Sequence, residues 1–249
     1  MNIGIIPARL DSKRFPKKIL APLNGKPMVA NTVERSLMAK KLDRVILAID
    51  SRETKDALKG YGFEMVMTSK EHSSGTDRIA EVARDIKDAN IIINIQGDEP
   101  LIDPKIIDLL VTKLENPNFE FATVISKNLN AGDILNPHVV KAFINEKEEV
   151  IEFKRNVQDF EIGGVYRHIG LYGYKKEMLI KFTRLEQSKN EIKYNLEQLR
   201  AIDNNIKINA VIKTCNFLSV DTQEDLEKII KLMELKSEIQ SNGATNNEQ

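Results

Sequence analysis

The run Ile91-Ile92-Ile93-Asn94-Ile95 constrains this chain more than any other stretch. An apolar, β-branched run of that length makes a strand buried on both faces, as in a parallel sheet covered by helices. It stops at Gly97 and delivers Asp98 and Glu99 ahead of Pro100, so the carboxyl end of the strand opens into a loop bearing two carboxylates. In an open α/β sheet that edge is where ligands bind. Carboxylate oxygens there suit a hard cation, and Mg²⁺ in turn suits phosphates. The competing use is a turn or helix cap, which weighs evenly for Glu99 and less for Asp98.

The flanking segments alternate between strand and helix. Ile3 to Ile6 is a strand ended by Pro7, and Ala8 to Lys18 brings five cations (Arg9, Lys13, Arg14, Lys17, Lys18) to its carboxyl end. Arg offers a fork of donors to phosphate oxygens and Lys a point charge, so position favours polyphosphate binding over a solvated charge run. After a turn at Asn24 to Pro27, Met28 to Lys41 carries apolar residues at helical spacing (Val29, Val33, Leu37). Val45 to Ile49 is a second strand ending at Asp50, with a polar helix to Lys59 and a third strand at Glu64 to Met67. Ser73 to Arg78 precedes a further helix; Thr76 or Asp77 could cap it, or its amides and Arg78 could face a nucleotide.

Beyond the acidic loop, Pro104 to Leu114 reads as a helix, Phe121 to Ile125 as a strand, and Glu146 to Glu149 as a hairpin tip. Arg167 to Tyr174 is a strand whose glycines permit close approach of another backbone or a ligand. His168 within it is more often a satisfied structural histidine than a catalyst. Leu196 to Arg200 reads as a helix turn. Ile206 to Lys213 alternates, which predicts a strand with one wet face broken only by Val211. Asp221 with Glu224 fits an N-cap and its capping-box partner. The polar tail, 241–249, is expected to be disordered, leaving residues 1–240 as one domain.

The 249 residues can bury a sizeable core as a single folded unit. With 37 basic and 37 acidic residues, no global field draws the chain to nucleic acid or an anionic membrane. The lone Cys215 has no partner for a disulfide or a metal cluster and reads as a small core residue, which fits a reducing, cytoplasmic setting. No leader or membrane segment is evident.

Taken together, Ile6-Pro7-Ala8-Arg9, Arg14 to Lys18, Asn24 to Met28, Ser74-Gly75-Thr76-Asp77-Arg78, Asn94 to Pro100, Arg167 to Gly170, Leu196 to Arg200 and Val220-Asp221-Thr222 resemble the CMP-Kdo synthetase (3-deoxy-manno-octulosonate cytidylyltransferase) family. The motifs run in the family's order from residue 3 to about 230. The resemblance implies an α/β nucleotidyltransferase with a Rossmann-like, mostly parallel mixed sheet flanked by helices. It also implies a smaller β-rich dimerisation region, about 126–185, on the sugar side. The implied reaction joins CTP to Kdo, an acidic 3-deoxy sugar, for lipopolysaccharide biosynthesis and releases pyrophosphate, with Mg²⁺ as cofactor and a homodimer as the assembly.

Carried over by position, Arg9 and Lys18 hold the triphosphate and act with Asp98 in catalysis. Ser74, Gly75, Thr76, Arg78 and Gln96 frame the cytidine. Arg14, His168, Tyr172, Glu197 and Gln198 line the sugar pocket, and Asp98 with Asp221 holds the metal. The chain departs from the family in three places: Phe153-Lys154-Arg155-Asn156-Val157 replaces a Phe-Ser-Arg segment followed by Ile-Pro, Tyr194 replaces a glutamate, and Lys17 stands where glycine is usual. The first two lie toward the sugar and the dimer contact, so 8-amino-Kdo or another 3-deoxy-ulosonate remains open as acceptor. A non-catalytic nucleotide-binding homologue is the rival from another class.

Overall fold

The computed structural model describes residues 1–12, 14–157, 164–215 and 218–244. Lys13 of the basic loop lies outside them, as do 158–163 of the 126–185 segment and 245–249 of the tail. Along the chain, β1 (Asn2–Ala8) leads into a 3-10 turn (Lys18–Leu20), a hairpin of β2 (Pro22–Leu23) and β3 (Lys26–Pro27), and α1 (Met28–Ser36). There follow β4 (Arg44–Ile49), α2 (Arg52–Leu58), β5 (Met65–Met67), α3 (Gly75–Asp85), β6 (Ile91–Asn94), α4 (Pro104–Glu115), β7 (Phe121–Ser126) and α5 (Ala131–Leu135). The last third holds β8 (Lys141–Ile144), β9 (Glu149–Lys154), β10 (Val165–Lys175), α6 (Lys176–Phe182), α7 (Lys189–Tyr194), α8 (Leu199–Asp203), β11 (Ile208–Lys213) and α9 (Gln223–Ala244).

The main sheet has nine strands among the described residues, in the order β5-β4-β1-β6-β10-β7-β11-β9-β8. β5, β4, β1 and β6 run parallel, whereas β10 is antiparallel to both β6 and β7. Side-chain alternation puts Ile3, Ile5, Ile46 and Ile92 on one face against Ile79 and Ala83 of α3 and Met178 and Phe182 of α6. The opposite face carries Leu47, Ile91 and Ile93 against Val29 and Val33 of α1 and Ile107 and Leu110 of α4. The sheet is therefore covered on both sides, and Ile91 to Ile95 is buried throughout, as its composition predicts.

β10 is long enough to serve two partners. Its second half, Tyr172–Lys175, pairs with β6, its start, Val165–Arg167, pairs with β8, and β7 runs along the other edge through a register shift between Ile169 and Tyr172. Since β8 also pairs with β9 and β9 with β11, the strands β10-β7-β11-β9-β8 close a ring. Gly173 permits this crowding: a Cβ there would stand 2.6 Å from Leu114 Cδ1 and 3.0 Å from Ile93 Cδ1.

A third, smaller cluster docks the start of α9. Val220, Leu226 and Ile229 pack with Leu23 of the hairpin and Met28. Each of those aliphatic side chains contributes on the order of 1.5–3 kcal/mol when fully buried. That docking carries the segment before α9 back across the sheet edge to the Asp98 loop, where Val220 N donates to Asp98 O at 2.9 Å.

Several expectations are corrected. α1 ends at Ser36, five residues before Lys41, and Leu37 is exposed. The chain must turn there to reach β4, and Lys41 N is taken by Asp108 and Asp43 N by Asn2 O. β11 has no wet face over most of its length: it lies between β7 and β9, and Asn209 and Val211 are buried. Leu196, Glu197 and Gln198 precede α8 in a turn, with Leu199 N bonded to Leu196 O. Residues 241–244 continue α9.

Candidate active site

The carboxyl ends of β1, β4 and β6 converge on one polar centre. Gly97 lets the acidic loop run close to β1, because a Cβ there would meet Pro7 O at 3.1 Å. Asp98 Oδ2 accepts from Lys18 Nζ at 2.6 Å, and the same ammonium lies 3.4 Å from Asp221 Oδ1. Arg14 donates to Asp221 Oδ1 at 2.8 Å. Two carboxylates from segments 123 residues apart thus share one cation. Lys18 is mostly buried and Asp98 more sheltered than Asp221. Lys17, just before it, has φ 54, in the left-handed region that costs a side chain and that glycine adopts freely.

Asp221 does not cap α9. Thr222 Oγ1 accepts from Asp225 N at 3.2 Å, and Asp225 Oδ2 accepts from the amides of Thr222 (3.0 Å) and Asp221 (3.1 Å). The capping box is shifted one residue on from the expected Asp221–Glu224 pair, which leaves the Asp221 side chain for the cations. At α3 the cap is Ser74, whose hydroxyl accepts from Asp77 N at 3.1 Å, not Thr76 or Asp77.

Arg78 is buried. It donates to Asp50 Oδ2 at 3.0 Å and Thr68 Oγ1 at 2.5 Å, while Asp50 Oδ1 accepts from Leu10 N at 3.0 Å. Burial lowers the Arg78 pKa, Asp50 opposes that shift, and the charge of nearby Arg9 adds to it. Arg9 is exposed at the end of β1 and makes no ion pair among the described residues. The sequence marks Asp50 only by its place at a strand's carboxyl end and does not mark Thr68 at all.

The remaining predicted residues sit along β10 and the turn before α8. Gln96 Nε2 donates to Gly170 O at 3.1 Å. His168 packs edge-on to Phe153 and beside Tyr172, with ring centroids 4.9 and 5.4 Å apart. The Thr123 hydroxyl donates to Leu171 O at 3.0 Å, so it accepts from His168 Nε2 at 3.1 Å. Desolvation pulls the His168 pKa down to about 3, which keeps the ring neutral. Burial, then the charges of Glu197 and Glu99, raises the Tyr172 hydroxyl.

Glu197 Oε2 accepts from Thr76 Oγ1 at 2.6 Å, joining the α3 entry to the turn before α8, and Gln198 beside it is buried. Among the described residues Glu197 Oε1, 3.8 Å from Arg200 Nη2, and Glu99 Oε2 are buried without a hydrogen-bond partner, and desolvation raises both carboxyl pKa values. Below the turn, Arg200 grips Glu191 with two bonds of 2.8 and 2.5 Å. Tyr194, by contrast, is exposed.

Asp98 and Asp221 fit a Mg²⁺ ion that takes only one or two protein carboxylates and completes its shell with phosphate oxygens and water. No cluster of three or more His, Cys, Asp or Glu side chains that could hold a metal occurs among the described residues.

A parallel-strand edge that gathers cations, two carboxylates and a glycine-containing loop is the ligand-binding edge of an open α/β sheet. Residues 3–208 match the model of the cytidylyltransferase family. The 3-deoxy-manno-octulosonate cytidylyltransferase of Geobacter sulfurreducens is 39% identical over 93% of this chain and 99% of its own. The 8-amino-3,8-dideoxy-manno-octulosonate cytidylyltransferase of a Shewanella species is also 39% identical, over 91% and 96%. A solved structure of CMP:2-keto-3-deoxy-manno-octonic acid synthetase complexed with CTP superposes with a TM-score of 0.89 at 32% identity, covering 95% of this chain and 100% of that one. The chain belongs to the CMP-Kdo synthetase family of cytidylyltransferases and is a nucleotidyltransferase enzyme.

Proposed function

We propose that the protein transfers the cytidylyl group of CTP to the anomeric hydroxyl of a 3-deoxy-ulosonic acid, Kdo in the first instance, and releases pyrophosphate. The observation that carries the reading is the convergence of Asp98 and Asp221 on Lys18 beside the basic loop. A pure nucleotide binder has no need of two carboxylates there. Relatives named for Kdo and for 8-amino-Kdo stand at the same 39% identity, so an 8-amino acceptor is the second reading.

The physical problem is to bring an anionic sugar to an anionic triphosphate. Arg9 and Lys18 hold phosphate oxygens, and Lys18 can turn from the carboxylates to the phosphates, because its stem is flexible and it is a point charge. Asp98 and Asp221 would hold a Mg²⁺ ion, which when bound would screen the phosphates and make the attacking hydroxyl easier to ionise. Asp98 assists loss of that proton. Ser74, Gly75, Thr76 and Gln96 frame the base, with Arg78 bracing that wall through Asp50. Arg14, His168, Tyr172, Glu197 and Gln198 receive the sugar acid, the neutral imidazole of His168 serving as a hydrogen-bonding and packing group. No covalent enzyme intermediate is required. We place the enzyme in the cytoplasm as a homodimer, in lipopolysaccharide synthesis. No described helix is long and apolar enough to cross a membrane.

The test is pyrophosphate release with CTP and a panel comprising Kdo, 8-amino-Kdo and other 3-deoxy sugar acids. Release with Kdo supports the first reading and release with the amino sugar alone the second. No release with any acceptor, alongside measurable CTP binding, would favour the silent homologue.

A further inference from the structure

Lys141 is buried, and no carboxylate among the described residues pairs with it, Asp133 exerting only a longer-range attraction. Its ammonium is satisfied instead by three backbone carbonyls: Asn136 O at 2.8 Å, Val139 O at 2.9 Å and Arg155 O at 2.6 Å. An ammonium has three donors, so this set uses all of them. Lys141 therefore fixes the end of β9 against the turn that enters β8.

Arg155 stands on that platform and reaches outward. Its Nη1 donates to Pro137 O at 3.3 Å, its Nε to Tyr194 O at 3.3 Å and its Nη2 to Asn195 O at 3.2 Å. The last two carbonyls close α7, where Asn195 takes the left-handed conformation with φ 51, and Glu197 follows two residues later. The near end of α7 is set by the Ser188–Glu191 capping box and by the Glu191–Arg200 pair. Arg155 supplies the hold from the sheet. Between these anchors Glu197 is held with Oε2 bonded to Thr76 Oγ1 at 2.6 Å and Oε1 3.8 Å from Arg200 Nη2.

We propose that Arg155, seated on Lys141, is a positioning residue for the acceptor site, holding the 194–198 turn so that Glu197 and Gln198 face the sugar acid; this rests on the function proposed above. A planar fork serves three separated carbonyls, whereas a lysine reaches fewer, so Arg155→Lys restores only part of the hold. The experiment compares wild type, Arg155→Gln and Arg155→Lys in full-length enzyme. In Arg155→Gln we expect KM for the acceptor to rise about tenfold, with KM for CTP and kcat within about twofold, and Arg155→Lys to fall between. Amide exchange over 194–200 should quicken about tenfold in Arg155→Gln, while exchange in the Asp98 loop stays unchanged. Equal rises in both KM values, or exchange at 194–200 identical to wild type, would overturn the inference. If wild type releases no pyrophosphate with any sugar acid, the proposed function fails by itself, and the exchange measurement still decides whether Arg155 holds the turn. Lys141→Met serves as a companion and should quicken the same amides if it folds.

Discussion

Asp221 and Thr222 are neighbours with separable jobs, and substituting each in turn isolates them. Thr222 caps α9 through Asp225, so Thr222→Ala removes a cap worth about 1 kcal/mol. For a chain of this size that lowers Tm by about 2–4 °C. Asp221 instead faces Lys18 at 3.4 Å and Arg14 at 2.8 Å, the latter pair largely exposed, so the ion pairs lost in Asp221→Asn cost at most about 1 kcal/mol of stability. The same change removes one of the two carboxylates proposed to hold Mg²⁺. We expect kcat to drop at least about a hundredfold, roughly 2.7 kcal/mol of transition-state stabilisation. Asp98→Asn should match that loss. The assays are differential scanning calorimetry and steady-state pyrophosphate release across a Mg²⁺ titration. If Asp221→Asn keeps kcat while Thr222→Ala loses it, the assignment of the two side chains is wrong.

Three further outcomes follow from the same geometry. His168 has a folded pKa of about 3 against 6.5 when unfolded, so the unfolded chain takes up the proton, and the stability it contributes is present above pH 6.5 and lost as pH falls toward 3. Urea midpoints measured at pH 6.5 and 4.5 should fall less in His168→Gln than in wild type, and parallel falls would contradict the burial argument. Lys17→Gly relieves a left-handed φ of 54 at the expense of one exposed ion pair with Glu53, so Tm should hold or rise, and a loss above about 1 kcal/mol would show that Lys17 does more. CTP should exceed UTP in kcat/KM by at least about a hundredfold, because a pocket built to accept from the exocyclic amine discriminates against its absence; equal rates at subsaturating nucleotide would refute it.

The alternating architecture was legible because its strands are short apolar runs and their helices have periodic faces. Ile91 to Ile95 and Val45 to Ile49 are buried as their composition predicts. Local pattern misled where sheet neighbours decide the outcome. Ile206 to Lys213 alternates like a half-exposed strand, yet β9 on one edge and β7 on the other place it inside the sheet, and Asn209 is buried there. Nothing within eight residues encodes that. Helix ends were off by one to five residues, since a cap depends on which hydroxyl the backbone places over the first turn, and both Asp221 and Thr222 are chemically fit for it.

The site was legible for a different reason. Lys18, Asp98 and Asp221 are weak signals singly, and each has a bland use as surface charge or cap. Their order beside the Ser74 to Arg78 and Arg167 to Gly170 segments is what carried the family resemblance. Their meeting, however, is produced by apolar residues that bear no chemistry: Val220, Leu226 and Ile229 packing on Leu23 and Met28 bring Asp221 to the Asp98 loop. The contacts on the acceptor side also join segments distant in sequence. Arg155 meets Tyr194 and Asn195 across 39 and 40 residues, Thr123 meets His168 across 45, and Thr76 meets Glu197 across 121. Their partners are mostly backbone carbonyls or hydroxyls, which sequence does not mark. Lys18, Asp98 and Asp221 carry charges that the sequence displays, whereas the hold on the 194–198 turn runs through backbone carbonyls that it does not. That asymmetry is why the departures at Lys154 and Tyr194 could be seen in the sequence but not weighed: Tyr194 lends Arg155 its carbonyl rather than its side chain.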